Sequence, residues 1–305
     1  MRFCGWFLGL ATLATFVACK EIGGHDDFRV VTTTTMLTDL AENIGGDSIK
    51  VIGLMQPGID PHSFKPPESS VLTLGTSDVI LYHGLHLEGR MNFIFEKMHS
   101  SNRYHAFAVA ERIEPGKLMQ SENFPGMYDP HIWFSIDLWK EMALEVCEIL
   151  VEEKPLAKTY FEKNTKDYIS RLDELKEWST LRMNDLPENR RYLVTAHDAF
   201  GYFGREWNME VIGIQGISTN SEAGFGNLLK LADFIQERRI PVVFSEISVS
   251  DKSVMALQQA VRNAGGELRL GESLYSDALG GKNSGANTYI GMYKHNVETI
   301  VNALR

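Results

Sequence analysis

Short apolar runs alternate with helix-length amphipathic segments along most of this chain, and that alternation restricts the fold more than any other feature. Residues 28–34, 49–55, 79–83 and 104–109 read as strands, with helices predicted at 36–44, 67–74 and 89–98 between them. Such spacing is the pattern of a parallel sheet built from βα units. The pattern restarts with strands predicted at 191–195, 209–214, 241–246 and 267–271 and helices at 199–206, 223–237 and 252–264, closed by a helix at 288–304. A chain of 305 residues, 44% of them apolar, can bury a large core, and its length favours about two domains. The expected fold class is therefore α/β, with two (β/α) lobes, here 28–153 and 187–305.

Between the repeats lies a charged segment, 154–186. Pro155 opens it, and Phe161, Tyr168, Leu172, Leu175 and Trp178 follow at near-helical spacing on a polar background. Proline in the first turn and one apolar stripe predict a single long linking helix over 155–183. At 1.5 Å per residue it would be about 40 Å long, enough to run along both lobes. The stripe is not a sustained heptad, so a strut within the molecule fits better than a coiled-coil partner. A strut of this kind predicts less hinging than flexible connecting strands would allow.

The N-terminus points outside the cytoplasm. Arg2 precedes an apolar stretch, 3–14, that is too short to span a bilayer and reads as the core of a signal peptide covering 1–18. The stretch ends in Phe16-Val17-Ala18-Cys19, which resembles a bacterial lipobox, with Cys19 as the lipidation site and 19–27 as a polar tether. Acyl chains on Cys19 would hold the protein to a membrane surface. Of the three cysteines only Cys147 remains in the folded part, so no disulfide is available there and a small buried thiol is expected. The formal net charge of -10 argues against nucleic acid or an anionic lipid surface as a direct partner.

Asp-Pro-His occurs twice, at Asp60-Pro61-His62 and Asp129-Pro130-His131, and His197 follows an apolar strand-like run. Imidazole suits zinc and other late first-row cations, whereas magnesium or calcium would call for oxygen ligands. His62, His197 and Asp277 fall just past predicted strands, where open α/β sheets bind their ligands. Proline before each of His62 and His131 stiffens the backbone, and the aspartates two residues earlier can accept from an imidazole or a backbone N–H. Asp198, Glu222, Glu246 and Asp277 compete for a fourth ligand position, Glu246 at the end of strand 241–246 being the strongest rival to Asp277. His83, His86, His99, His105 and His295 read as structural.

Gly58-Ile59-Asp60-Pro61-His62, the run 82–88 (YHGLHLE), 129–134 (DPHIWF), 194–203 (VTAHDAFGYF), Ser276-Asp277-Ala278 and 289–300 together resemble the TroA-like solute-binding lipoproteins of ABC-type zinc and manganese importers. The resemblance covers nearly all of 28–305. It implies a metal site in the cleft between two lobes joined by a long helix, with ligands His62 and His131 from the first lobe and His197 and Asp277 from the second. It further implies a monomeric receptor that passes Zn2+ or Mn2+ to a membrane permease and its ATPase, from a periplasmic or extracytoplasmic position on a bacterial membrane.

Manganese-selective members of that family typically carry glutamate where this chain has His197, which shifts the expectation toward zinc or mixed binding. Zinc-dedicated members often carry a histidine-rich loop before the second Asp-Pro-His, and 114–127 contains no histidine. The rival readings are a secreted zinc hydrolase using three histidines with Glu246 as base, and an adhesin with a structural metal. HExxH, GxSxG and CxxC are all absent, and four protein ligands leave no coordination position for a substrate. The glycines from Gly280 to Gly285 fail the spacing of a nucleotide loop and read as a flexible connector. Replacement of Cys19 by alanine is expected to abolish incorporation of labelled fatty acid and to move the protein from the membrane pellet to the soluble fraction.

Overall fold

The computed structural model describes residues 28–305 except 102, 122–125 and 220–224; the predicted signal peptide, the tether and Cys19 lie outside the described residues. The first half is a four-stranded parallel sheet. Its strands are β1 (Arg29–Thr32), β2 (Lys50–Gly53), β3 (Val79–Tyr82) and β4 (Ala106–Ala108), in the order β2-β1-β3-β4. Helices α1 (Thr35–Gly45), α2 (Glu68–Gly75) and α3 (Asn92–Ser100) connect them. The central strands β1 and β3 are almost wholly buried, which is why they read as unbroken apolar runs rather than alternating ones.

The second half repeats this order. Strands β5 (Tyr192–His197) and β6 (Glu210–Gln215) pair in parallel, as do β7 (Val242–Val243) and β8 (Arg269–Leu270). A parallel bridge from Thr195 to Phe244, with the Phe244 N–H donating to the Val194 carbonyl at 2.9 Å, joins the two pairs into the order β6-β5-β7-β8. Connecting helices are α6 (Gly201–Trp207), α7 (Phe225–Arg238) and α8 (Lys252–Asn263). Strands β7 and β8 are shorter than the sequence suggests. Pro241 has no N–H to pair, and beyond Phe244 the sheet continues only as a single bridge between Glu246 and Leu274. Helix α6 begins two residues later than predicted because the Ala199 N–H folds back onto the His197 carbonyl at 3.0 Å.

Helices α4 (Ile136–Glu153) and α5 (Lys158–Met183) join the halves, with a short 3-10 turn, Pro155–Ala157, between them. The predicted strut thus starts after that turn, and its 26 residues span about 39 Å. Phe161, Thr165, Tyr168, Leu172, Leu175, Ser179 and Met183 form its buried stripe, against α1, α4 and the final helix α9 (Tyr289–Leu304). Trp139 of α4 donates its indole N–H to the Tyr168 hydroxyl at 3.0 Å and stacks on Tyr289 of α9. One continuous apolar cluster therefore includes residues of α1, α4, α5, α6 and α9, and each sheet adds a smaller cluster on its other face. Cys147 is buried in α4, as expected. Among the described residues no helix is long and apolar enough to cross a membrane.

The halves are also tied near their cleft. Asp39 of α1 accepts the Tyr289 backbone N–H at 3.0 Å, at the start of α9, and the Leu279 N–H donates to the Thr35 hydroxyl at 2.7 Å. The glycine-containing loop after Asp277 is therefore held at both ends, by Leu279 and by the Thr288 cap of α9, rather than being a loose connector. Burial outweighs the hydrogen bond from Tyr289 and pushes the Asp39 pKa up from 3.8 to about 6. Between those values the folded state binds more protons than the unfolded one, so this group's favourable contribution is present below about pH 4 and lost as pH rises through 6. Asp39→Asn is thus expected to raise stability to urea at pH 7, where its amide oxygen still accepts from Tyr289, and to have little effect at pH 4.

Candidate metal centre

Four side chains meet where the carboxyl ends of the two sheets face each other. His62 lies in the turn after β2, and His131 leads the single 3-10 turn Ile132–Phe134 that feeds α4. His197 is the last residue of β5, and Asp277 lies in the loop beyond β8. One donor atom from each lies within 4.8 Å of the others, and all four residues are buried. His62 Nε2 is 3.3 Å from His131 Nε2; Asp277 Oδ1 is 3.4 Å from His131 Nε2, and Asp277 Oδ2 is 3.2 Å from His197 Nε2. A tetrahedral ion with metal–ligand bonds of about 2.1 Å would separate its ligand atoms by about 3.4 Å. The spacing suits a small cation with three nitrogens and one oxygen around it.

The electrostatics agree. Neither oxygen of Asp277 has a hydrogen-bond partner, although the carboxylate is fully buried. Burial alone would raise its pKa, but His197, His131 and His62 around it hold it well below the usual carboxylate range. Burial works against a charge on His131, yet Asp129 and Asp277 overcome it and push its pKa up to about 9. His197 is likewise raised, against its burial, by Asp277 and Glu246. His62 goes the other way, down to about 4, because burial, helped by repulsion from His131 and His197, outweighs the attraction of Asp277. A carboxylate buried without donors among imidazoles needs positive charge at the centre of the cluster, and a divalent cation would supply it once the ring nitrogens give up their protons.

A carboxylate stands behind the ring of His131 and of His197, and another holds the backbone of His62. Asp129 Oδ1 takes the backbone N–H of His131 at 2.9 Å and lies 2.7 Å from its Nδ1, leaving Nε2 for the centre. Asp60 Oδ1 accepts the His62 N–H at 2.8 Å, and its other oxygen takes the hydroxyls of Ser63 and, from the second half, Thr219. The role expected for the two aspartates is thus realised at both Asp-Pro-His copies. Glu246 does the same for His197: Oε1 accepts its N–H at 2.9 Å and Oε2 lies 2.5 Å from Nδ1. Glu246 therefore faces the far side of the ring and is not among the converging four, and neither is Asp198; Glu222 lies outside the described residues.

Among the histidines read as structural, His86, His99, His105 and His295 contact Asn92, Tyr82, Glu153 and the Ser273 carbonyl respectively. His83 is different. It is fully buried against Trp133, which in turn meets His131. Its place in YHGLHLE beside an apolar strand was the only signal available in the sequence, because what links it to the site is a bond to the carbonyl of Pro130, 47 residues away.

Two parallel α/β lobes on a shared helix, with three imidazoles and a carboxylate converging between them, form the architecture of a metal-binding solute receptor. The chain belongs to the family described as ZnuA, the periplasmic component A of zinc-uptake complexes, whose model matches residues 30–303. It is 42% identical to the manganese-binding lipoprotein MntA of Bacillus subtilis over 91% of this chain and 90% of that one. It is 39% identical to the zinc-binding protein TroA of Treponema pallidum over 99% of this chain and 98% of the relative. The solved structure of the periplasmic zinc-binding protein TroA from Treponema pallidum superposes with a TM-score of 0.87 at 40% identity, covering 91% of this chain and 99% of that one.

The backbone leaves little room behind His197. A Cβ on Gly213 of β6 would stand 2.5 Å from the Asp198 nitrogen and 2.6 Å from its Cα, one residue past the imidazole. Gly213→Ala is expected to cost about 1–3 kcal/mol in urea unfolding, since backbone rather than a flexible side chain must give way. Gly226→Ala, whose Cβ would meet nothing within 4 Å, should cost nothing and serves as the control.

Proposed function

We propose that this protein is an extracytoplasmic receptor of an ABC importer, anchored through acylated Cys19, that captures Zn2+ or Mn2+ and hands it to a membrane permease powered by an ATPase. The metal is cargo, held by His62 and His131 of the first lobe (28–153) and His197 and Asp277 of the second (187–305), with 154–186 as the linking helix. The observation that carries the reading is the convergence of four buried donor atoms, two from each lobe, within 4.8 Å of one another, with His131 Nε2 and Asp277 Oδ1 3.4 Å apart across the cleft. Membership of the family and the lipoprotein relatives named for zinc and for manganese support the transport role.

Division of the ligands between lobes makes release mechanical. A modest shift of the second lobe would withdraw His197 and Asp277 together and leave two histidines, too few to retain the ion. Rigid fastening of both lobes to α5 and α9 favours a small displacement over a wide hinge opening. A monomer suffices, since one chain supplies the whole ligand set. Four protein donors satisfy a tetrahedral ion and leave no open position for a water nucleophile, which disfavours hydrolysis. The apolar cluster that includes the joining helices contains none of the four converging residues, which disfavours a purely structural ion.

Both metals bind nitrogen, and zinc is expected to bind more tightly than manganese whichever one is carried. In titration calorimetry, His62→Ala and Asp277→Ala are expected to weaken zinc binding by orders of magnitude; unchanged affinity in both would overturn the ligand assignment. Zinc should raise the melting temperature of the native chain, because it binds only the folded form, while chelation should leave the far-ultraviolet circular dichroism unchanged.

A further inference from the structure

Trp133 stands between the two halves of the site without belonging to the converging four. Its Nε1–H donates to the Ser276 carbonyl at 2.9 Å, the peptide immediately before Asp277. Its ring meets the edge of His131, with centroids 5.2 Å apart and planes at 73°, and that of His83 at 5.1 Å and 83°. The residue is fully buried, and its own carbonyl accepts the Tyr289 hydroxyl at 2.7 Å. A flat indole held on all these sides is a spacer of fixed length between the first-lobe histidine and the second-lobe carboxylate.

His83 braces the same spacer. Its Nε2 lies 2.6 Å from the Pro130 carbonyl, and since a carbonyl only accepts, Nε2 must carry the proton. The ring is thereby locked to the peptide that precedes His131. Behind it, the buried Glu88 accepts the His83 N–H at 2.7 Å, the Gly84 N–H at 3.2 Å and the Thr33 hydroxyl at 2.6 Å. These bonds help hold Gly84, Leu85 and His86 at φ of 85°, 53° and 63°, a left-handed turn that is costly for the last two residues. Strain of this kind persists only where the surroundings over-determine the backbone. Here the backbone so held is the one that aims His83 at Pro130.

We propose that Trp133 and His83 are positioning residues that set the distance between His131 and Asp277, and through it the coordination geometry offered to the metal. The inference rests on the reading of His62, His131, His197 and Asp277 as ligands. Zinc accepts a compact tetrahedral set, whereas manganese tolerates longer bonds and added water or carboxylate oxygens. Loosening the spacer therefore weakens zinc more than manganese.

The test compares the native chain with Trp133→Phe, His83→Leu, His83→Gln and Asp277→Ala. Each is titrated with zinc, manganese and cobalt, and melted without metal. Trp133→Phe keeps the ring and deletes the N–H; it should weaken zinc binding roughly 10- to 100-fold, with a smaller loss for manganese and an altered visible spectrum of bound cobalt. His83→Leu should reproduce that loss, and His83→Gln, which retains a donor able to reach Pro130, should restore most of it. If Trp133→Phe does not fold by circular dichroism, the Leu and Gln pair at position 83 decides. Native affinity for both metals and an unchanged cobalt spectrum in the folded Phe and Leu variants, with only the melting temperature lowered, would overturn the positioning role. Failure of the native chain to bind zinc, or native affinity in Asp277→Ala, would instead overturn the ligand reading itself.

Discussion

A carboxylate taken wholly out of water must find positive charge, and Asp277 finds it only in the imidazoles gathered around it. Much of the structure near the cleft answers that requirement. His131 and His197 come from opposite lobes, and each has an acceptor behind its Nδ1, so that Nε2 faces the carboxylate. Burial makes the arrangement selective, because four buried donors converging within 4.8 Å suit one small divalent ion better than a larger or less charged ligand. The same burial makes it sensitive to spacing, since a buried donor displaced by a few tenths of an ångström has no solvent to compensate it.

Holding donors from two lobes at such separations needs a frame stiffer than a pair of domains on strands. The apolar cluster along α5 provides it, with Trp139, Tyr168, Tyr289 and Tyr293 fully buried where α4, α5 and α9 meet. Tyr289 extends the frame to the site: its hydroxyl bonds the Trp133 carbonyl and its N–H bonds Asp39 of α1. Packing, helix capping and ligand placement are consequently parts of one network, and a large opening of the cleft would have to disrupt it.

Much of this was legible in the residues. The paired strand series, the long amphipathic helix and the doubled Asp-Pro-His mark the two sheets, the strut and two of the four donors, because period and proline leave local traces in a sequence. Asp60 and Asp129 were readable as partners of the following histidines because both act within two residues of them. Glu246 was ambiguous. Its position at a strand end fits either a ligand or a support, and only the packing of β7 against β5 puts it behind the His197 ring. His83 and Trp133 lie in two of the runs that carry the resemblance, but nothing local marked their part in the site, as their bonds run to carbonyls 47 and 143 residues away.

The sequence by itself determined the inventory: two α/β repeats, a connecting helix, a set of imidazoles with several competing carboxylates, and the chemistry of the cation they suit. Those are consequences of residue type and local spacing, which the chain carries before it folds. Tertiary structure alone decided that donors from the two lobes converge within 4.8 Å, with His131 Nε2 3.4 Å from Asp277 Oδ1 across the cleft, which carboxylates face the centre and which stand behind it, and that an indole spans the gap. Distances between segments far apart in the chain depend on how whole surfaces pack, and packing is a property of the assembled core rather than of any one run of residues.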